Sequence, residues 1–216
     1  MIDLNILSQK QPFLYHLTSR VNLPSIIESG TLFSASILFE RAHGAAAREH
    51  IRRRRPGPEP VRIIVDGRQV EIRDQHTISE KALPKCLEDG MQPADYYELL
   101  NYRVFLWPTI PRLERHYARY KSEKPVLLRF STRELLELNP HVELSRLNSG
   151  ATRPNSHLGG IAPPRGRSTF QPAETCTFNI GRIAEVTFPR RCVLPPVFKS
   201  ANSPDGRWSV INKNTY

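Results

Sequence analysis

The sequence predicts an α+β domain, and three observations carry that prediction. Apolar or alternating runs recur at 12–18, 61–73, 103–107, 125–130 and 182–188 and have strand character. Short helical periodicities are scattered among them. Strands and helices do not alternate in regular βαβ order, which argues against a doubly wound parallel sheet. The 216 residues suffice for one sizeable core. A single domain is expected over 1–216, with its core at about 12–195 and an irregular tail at 196–216.

The first strand is PFLYHLT at 12–18. Asn22 is placed to cap a short helix with Leu23, Ile26 and Ile27 on its inner face and Gly30 as its stop. The apolar run LFSASILF at 32–39 is expected to lead into a second helix reaching about Arg52. The run RRRRPGP at 52–58 then reads as an exposed, mobile basic loop ended by turn residues. VRIIVDGRQVEIR at 61–73 is a hairpin signal, because Asp66-Gly67 is a two-residue turn between alternating strands. Helical stretches follow at 79–90 and 93–101, a strand at 103–107 and a helix at 111–121. Another strand, PVLLRF at 125–130, precedes a helix at 133–138 capped by Ser131 or Thr132. Residues 139–172, rich in Pro, Gly, Ser and Asn, read as a long functional loop. Two strands, near 175–179 and at 182–188, are expected to close the domain.

Lys and Arg number 31 against 21 Asp and Glu, a net charge of +10, and 24 of the 31 are Arg. The planar guanidinium fork suits phosphate, so the bias favours a phosphate-bearing partner. No apolar run approaches the ~20 residues of a membrane helix, and the N-terminus lacks a secretory pattern. Cys86, Cys176 and Cys192 form no CxxC pair, which argues against a disulfide framework or a structural zinc site; no metal is expected and a cytoplasmic location is. Neither a GxGxxG nor a P-loop is present.

His16 and Thr18 share one face of the first strand. They are either a histidine and threonine satisfied within the core or a ligand-binding pair. Glu185, in RIAEVTF, is either a solvated strand carboxylate or the single carboxylate that stabilises an oxocarbenium-like transition state. Glu174 competes for that role. Arg73 either holds a diphosphate by bidentate contact or pairs with Asp74 or Glu71. The 52–55 run, with Arg53, suits a solvated or nucleic-acid-facing loop. Trp107, Tyr117 and Tyr120 are core or groove aromatics.

The segment FLYHLTSRVNLPSIIESGTLFSAS at 13–36 resembles the opening of the DarT family of toxin-like ADP-ribosyltransferases, through Tyr15, His16, Thr18, Asn22, Leu23, Ile26 and Gly30. RIAEVTFP at 182–189 is similar to that family's Ala-Glu-hydrophobic strand, and RVFLWPTIPRLERHY at 103–117 to its strand-plus-helix segment. With IRDQ at 72–75, the chain resembles more closely still a group of bacterial proteins of unassigned function related to DarT. The resemblance implies an ADP-ribosyltransferase-like fold, with two small sheets forming an NAD cleft and short flanking helices. It implies that His16, Thr18, Asn22 and Arg73 bind NAD, the co-substrate, and that Glu185 is catalytic. Loop 145–172, with Arg146, Arg153, Arg165 and Arg167, would present a DNA or RNA acceptor. A bacterial toxin or anti-phage defence effector, with an antitoxin or hydrolase partner, would follow. An NAD glycohydrolase and a non-catalytic nucleic-acid-binding module on the same fold are the alternatives.

Overall fold

In the computed structural model, Asp3 starts the first helix: its carboxylate accepts from the backbone N–H groups of Asn5 and Ile6. The structure describes residues 1–55, 57, 59–73, 75, 78–153 and 160–215. Pro56, Pro58 and Asp74 of the expected loops and residues 154–159 of the expected acceptor loop lie outside the described residues.

The helices are α1 (Leu4–Lys10), α2 (Leu23–Ser29), α3 (Ala35–His43), α4 (Ala47–Ile51), α5 (Pro93–Asn101), α6 (Ile110–Tyr120) and α7 (Thr132–Leu138). The strands are β1 (Phe13–Thr18), β2 (Thr31–Phe33), β3 (Val61–Val65), β4 (Arg68–Ile72), β5 (Arg103–Leu106), β6 (Val126–Ser131), β7 (Glu143–Ser145), β8 (Gln171–Pro172), β9 (Glu185–Pro189), β10 (Arg191–Val193), β11 (Val197–Ala201) and β12 (Ser209–Asn212). The chain is therefore mixed α+β, with small antiparallel sheets and short helices.

Two four-stranded sheets, ordered β1-β6-β11-β12 and β5-β9-β7-β8, organise the molecule, with the ribbons β2-β10 and β3-β4 beside them. The two sheets are joined where Tyr15 and Trp107 exchange backbone hydrogen bonds of 2.9 and 2.8 Å. On the inner face of the first sheet, Leu14, Leu128, Phe130 and Phe198 join Val186 and Phe188 of the second sheet and Leu135 of α7 in the main core. On the other face, Tyr15, Leu17 and Leu127 pack with Trp107 against Leu113 and Tyr120 of α6. Alternation in β1 thus sends Leu14 and His16 one way and Tyr15 and Leu17 the other.

Several local signals produce their elements. Gly30 ends α2 at φ +58°, the left-handed conformation glycine tolerates. Asp66 and Gly67 both have positive φ, +50° and +77°, as a two-residue type I′ hairpin turn requires. Gly67→Ala should therefore lower stability by about 1–2 kcal/mol, read as a shift in the urea midpoint. An unchanged midpoint would show that this turn does not constrain the hairpin.

Other expectations are corrected. The helix expected to run to Arg52 is split: residues 31–33 pair with β10, Ser34 caps α3, and Gly44, at φ +53°, separates α3 from the short turn before α4. Pro84 has no N–H and keeps the 79–90 stretch to a 3₁₀ turn at Leu83–Lys85. The expected strand near 175–179 does not form; the backbone there serves the N-terminus, whose ammonium donates to the Cys176 carbonyl at 2.7 Å. The expected loop 139–172 contains β7, which pairs with β9. The expected irregular tail contains β11 and β12, which complete the first sheet; β11 pairs with β6.

The basic run is not a free loop. Arg52 pairs with Asp95 at 2.6 Å and with Glu98, and Arg54 with Glu80 at 3.0 Å. Arg55 donates to Asn101 Oδ1 at 2.7 Å and to the Arg73 carbonyl at 2.8 Å. Carboxylates, an amide and a backbone carbonyl delivered from distant segments engage three of the four guanidiniums. Arg53 stays exposed, 4.0 Å from Glu49.

A candidate ligand cleft between the sheets

β1 delivers His16 and Thr18 to one face. His16 Nδ1 lies 2.9 Å from the Phe105 carbonyl of β5. A carbonyl only accepts, so Nδ1 carries the proton and Nε2 is left as an acceptor. Burial pushes this imidazole down to about 4; the Phe105 carbonyl opposes the fall and Arg73 adds to it.

Asn22 faces the same space and ties β1 to the hairpin. Its Nδ2 donates to Thr18 Oγ1 at 3.1 Å and to the Glu71 carbonyl at 2.8 Å, while its Oδ1 accepts from the Glu71 N–H at 2.8 Å. Both amide hydrogens are engaged, which leaves the second lone pair of Oδ1 as what Asn22 can offer a ligand. It positions Thr18 and β4.

β4 carries Glu71 and leads into Arg73. Ser19 Oγ donates to Glu71, and Arg62 Nε donates to it at 3.1 Å; these contacts hold the carboxyl below its usual range, against burial. Arg73 Nη1 pairs with Glu123 at 2.5 Å, and the guanidinium lies 4.4 Å over the Tyr120 ring. Its Nε and Nη2 are buried without a hydrogen-bond partner among the described residues. Buried donors ordinarily have partners, so this orphaned pair is an unmet demand for an acceptor. Of the two partners weighed as the alternative to a diphosphate, Asp74 lies outside the described residues, and Arg73 pairs with Glu123 where Glu71 was the other candidate.

α6 adds His116, which the sequence reading did not single out. Its ring stacks on Trp107, with centroids 4.1 Å apart, and leans on Tyr120 at 4.9 Å. Burial, with Arg73, Arg119 and His16 around it, lowers its pKa to about 3. Its only sequence signal is its position three residues after Leu113 and four before Tyr120, which sets it beside the buried face of α6.

Glu185 opens β9 and is 4% exposed. Its carboxylate accepts from the Ser149 N–H at 3.1 Å. Burial pushes the carboxyl up to about 7, against the pull of Ser149, Arg165 and Arg112. A carboxyl balanced between its two forms at neutral pH is suited to taking up a proton there. Glu174 is exposed, as befits a solvated residue.

One cleft of about 660 Å³ joins these groups. His16, Thr18, Asn22, Arg73 and Glu185 all line it, with Glu71, His116 and Arg119. The volume falls in the roughly 300–1,000 Å³ range of small-molecule and cofactor sites. It presents a neutral histidine acceptor, two orphaned guanidinium donors and a poised carboxyl. No group of His, Cys, Asp and Glu able to hold a metal occurs among the described residues.

A family of unknown function, DUF7002, has a model that matches residues 12–192 of the 216. The chain belongs to the DUF7002 family. The matched stretch holds every cleft residue named above, and ends before β11 and β12. No curated protein matches the chain, and no solved structure does.

The arginines expected to bind nucleic acid divide in this DUF7002 domain. Arg53, Arg146, Arg153 and Arg167 are exposed. Arg165 is 1% exposed and is corrected to a structural role. Its guanidinium donates to the backbone carbonyls of Asn148 at 2.8 Å, Ala151 at 2.8 and 3.0 Å and Pro164 at 3.3 Å. It clamps the loop that brings Ser149 to Glu185. The three cysteines are buried free thiols, and no helix among the described residues is long and apolar enough to cross a membrane.

Proposed function

We propose that this DUF7002 protein is an NAD-dependent ADP-ribosyltransferase that modifies a nucleic acid. The observation that carries the proposal is the convergence of His16, Thr18, Arg73 and Glu185, up to 169 residues apart in sequence, on one cleft between two small sheets. The resemblance of 13–36 and 182–189 to DarT points to His16, Thr18 and Glu185 among them, and the sheet pair joined at Tyr15 and Trp107 fits an ADP-ribosyltransferase-like fold.

In this reading His16 Nε2 and the Thr18 hydroxyl face the nicotinamide ribose. The orphaned Nε and Nη2 of Arg73 donate to the diphosphate. Ionised Glu185 lies where positive charge develops on the ribose as the C1′–N bond breaks and nicotinamide leaves with the bonding electrons. The acceptor atom then bonds to C1′ and its proton passes to Glu185. The net charge of +10 favours a polyanionic acceptor.

Incubation of the chain with NAD and short DNA, short RNA or bulk protein, read by mass spectrometry, tests this. The expected result is a mass gain of one ADP-ribose on an oligonucleotide. Nicotinamide release with no adduct would replace the transferase with a glycohydrolase, and no consumption of NAD would overturn the reading.

A further inference from the structure

We infer that Arg112, Arg115 and Arg119 of α6 form a track for the sugar–phosphate backbone of the nucleic acid that is modified, a proposal that rests on the function proposed above. The helical period places the three within about 60° of one another on the helix surface. Leu113 and Tyr120 turn into the core beside them, and Glu114 falls on the far side. The stripe spans roughly 10 Å along the helix axis. At one end Arg112 is close enough to Glu185 for the two charges to interact. At the other, Arg119 lines the cleft beside His116 and Arg73.

Two observations point to a polyanionic occupant. First, none of the three guanidiniums has a hydrogen-bond or ion-pair partner among the described residues. Other arginines of the chain are neutralised, such as Arg41 with Asp66, Arg52 with Asp95, Arg62 with Glu71 and Arg103 with Glu143; the exposed Arg133 and Arg191 share that lack of a partner but stand on separate elements, away from the cleft. Second, like charges on adjacent helical turns destabilise the helix that carries them. Arg112, half-buried, is further disfavoured by the loss of water and by the neighbouring charge of Arg115. A row of backbone phosphates relieves both penalties. The Glu185 end of the track then puts the bound strand next to the carboxyl that receives the acceptor's proton.

The test compares two charge-matched triple variants for binding of a short labelled single strand of mixed sequence, as a function of salt. One is Arg112→Gln/Arg115→Gln/Arg119→Gln. The other is Lys10→Gln/Arg133→Gln/Arg191→Gln, exposed cations that lie outside the cleft lining. Thermal melts establish that both variants fold. Three lost single-strand phosphate contacts lower the salt slope by about 2, so between about 50 and 200 mM salt the wild type loses roughly twentyfold more affinity than the α6 variant. The distal variant should retain nearly the wild-type slope. Equal weakening of both variants, or of neither, would overturn the track. If the wild type binds no strand the track also falls, and mass spectrometry of the wild type with NAD then separates the two claims. An ADP-ribose adduct leaves the transferase standing without the track; no adduct removes both.

Discussion

Glu185→Gln should abolish nicotinamide release and, at pH 8, raise the stability of the protein. The first effect follows from removing the only negative charge that β9 brings into the cleft, and a loss of at least about 10²-fold is expected for an electrostatic group of this kind. The second follows from burial. An ordinary glutamate ionises near 4.5, but in the folded protein Glu185 holds its proton up to about 7. Between those values the folded state binds more protons than the unfolded chain, so folding loses stability as pH rises through this window. The full effect is roughly 3 kcal/mol above pH 7. Glutamine never ionises and still offers an oxygen to the Ser149 N–H. The melting temperatures of the two proteins should nearly coincide at pH 4 and separate in favour of the variant by pH 8. Wild-type activity should rise with pH through about 7, as the carboxylate forms. Equal destabilisation of the variant at both pH values would mean that Glu185 supports the fold through packing and hydrogen bonding, independently of its charge, and retained nicotinamide release would remove it from the chemistry.

Arg165→Met should destabilise the protein by at least about 2 kcal/mol and loosen the loop that carries Ser149. The guanidinium satisfies the carbonyls of Ala151 and Pro164 in a buried setting and is a second donor to Asn148, whose carbonyl also accepts from the Ala151 N–H at 3.0 Å. Each acceptor left without a donor there costs about 1–3 kcal/mol. Arg165→Lys should rescue little, because one ammonium cannot reach carbonyls arranged around a planar fork. Arg165 also favours the ionised form of Glu185, so the activity that survives in either variant should reach its midpoint at higher pH. Urea unfolding gives the first effect, and hydrogen exchange at Ser149, Gly150 and Ala151 gives the second. If Arg165→Met kept wild-type stability and weakened oligonucleotide binding instead, the clamp would be the wrong role.

The elements legible in the sequence are those whose signals are local. The hairpin at Asp66-Gly67, the Gly30 stop of α2, the Ser131 cap of α7 and the alternation in β1 each depend on residues a few positions apart. β11 and β12 were not legible. Their residues alternate only over four or five positions; what makes β11 a strand is pairing with β6, some 70 residues upstream, and β12 in turn pairs with β11. The split of the long expected helix has the same origin, since residues 31–33 become a strand only because residues 191–193 reach them.

The same division runs through the cleft. The sequence by itself marked His16, Thr18, Arg73 and Glu185, because a polar side chain in an apolar strand or beside a hairpin is conspicuous along the chain. Only the tertiary structure decided which of the arginines are used up. Arg165 disappears among backbone carbonyls, Arg52 and Arg54 find carboxylates on distant segments, and Arg73 keeps two donors with no acceptor among the described residues. His116 and the α6 stripe became visible only once α6 lay against Trp107. The physical reason is that hydrogen-bond and ion-pair satisfaction is a property of neighbours in space. A guanidinium looks the same in every sequence, and its role depends on which acceptors the fold brings within about 3 Å.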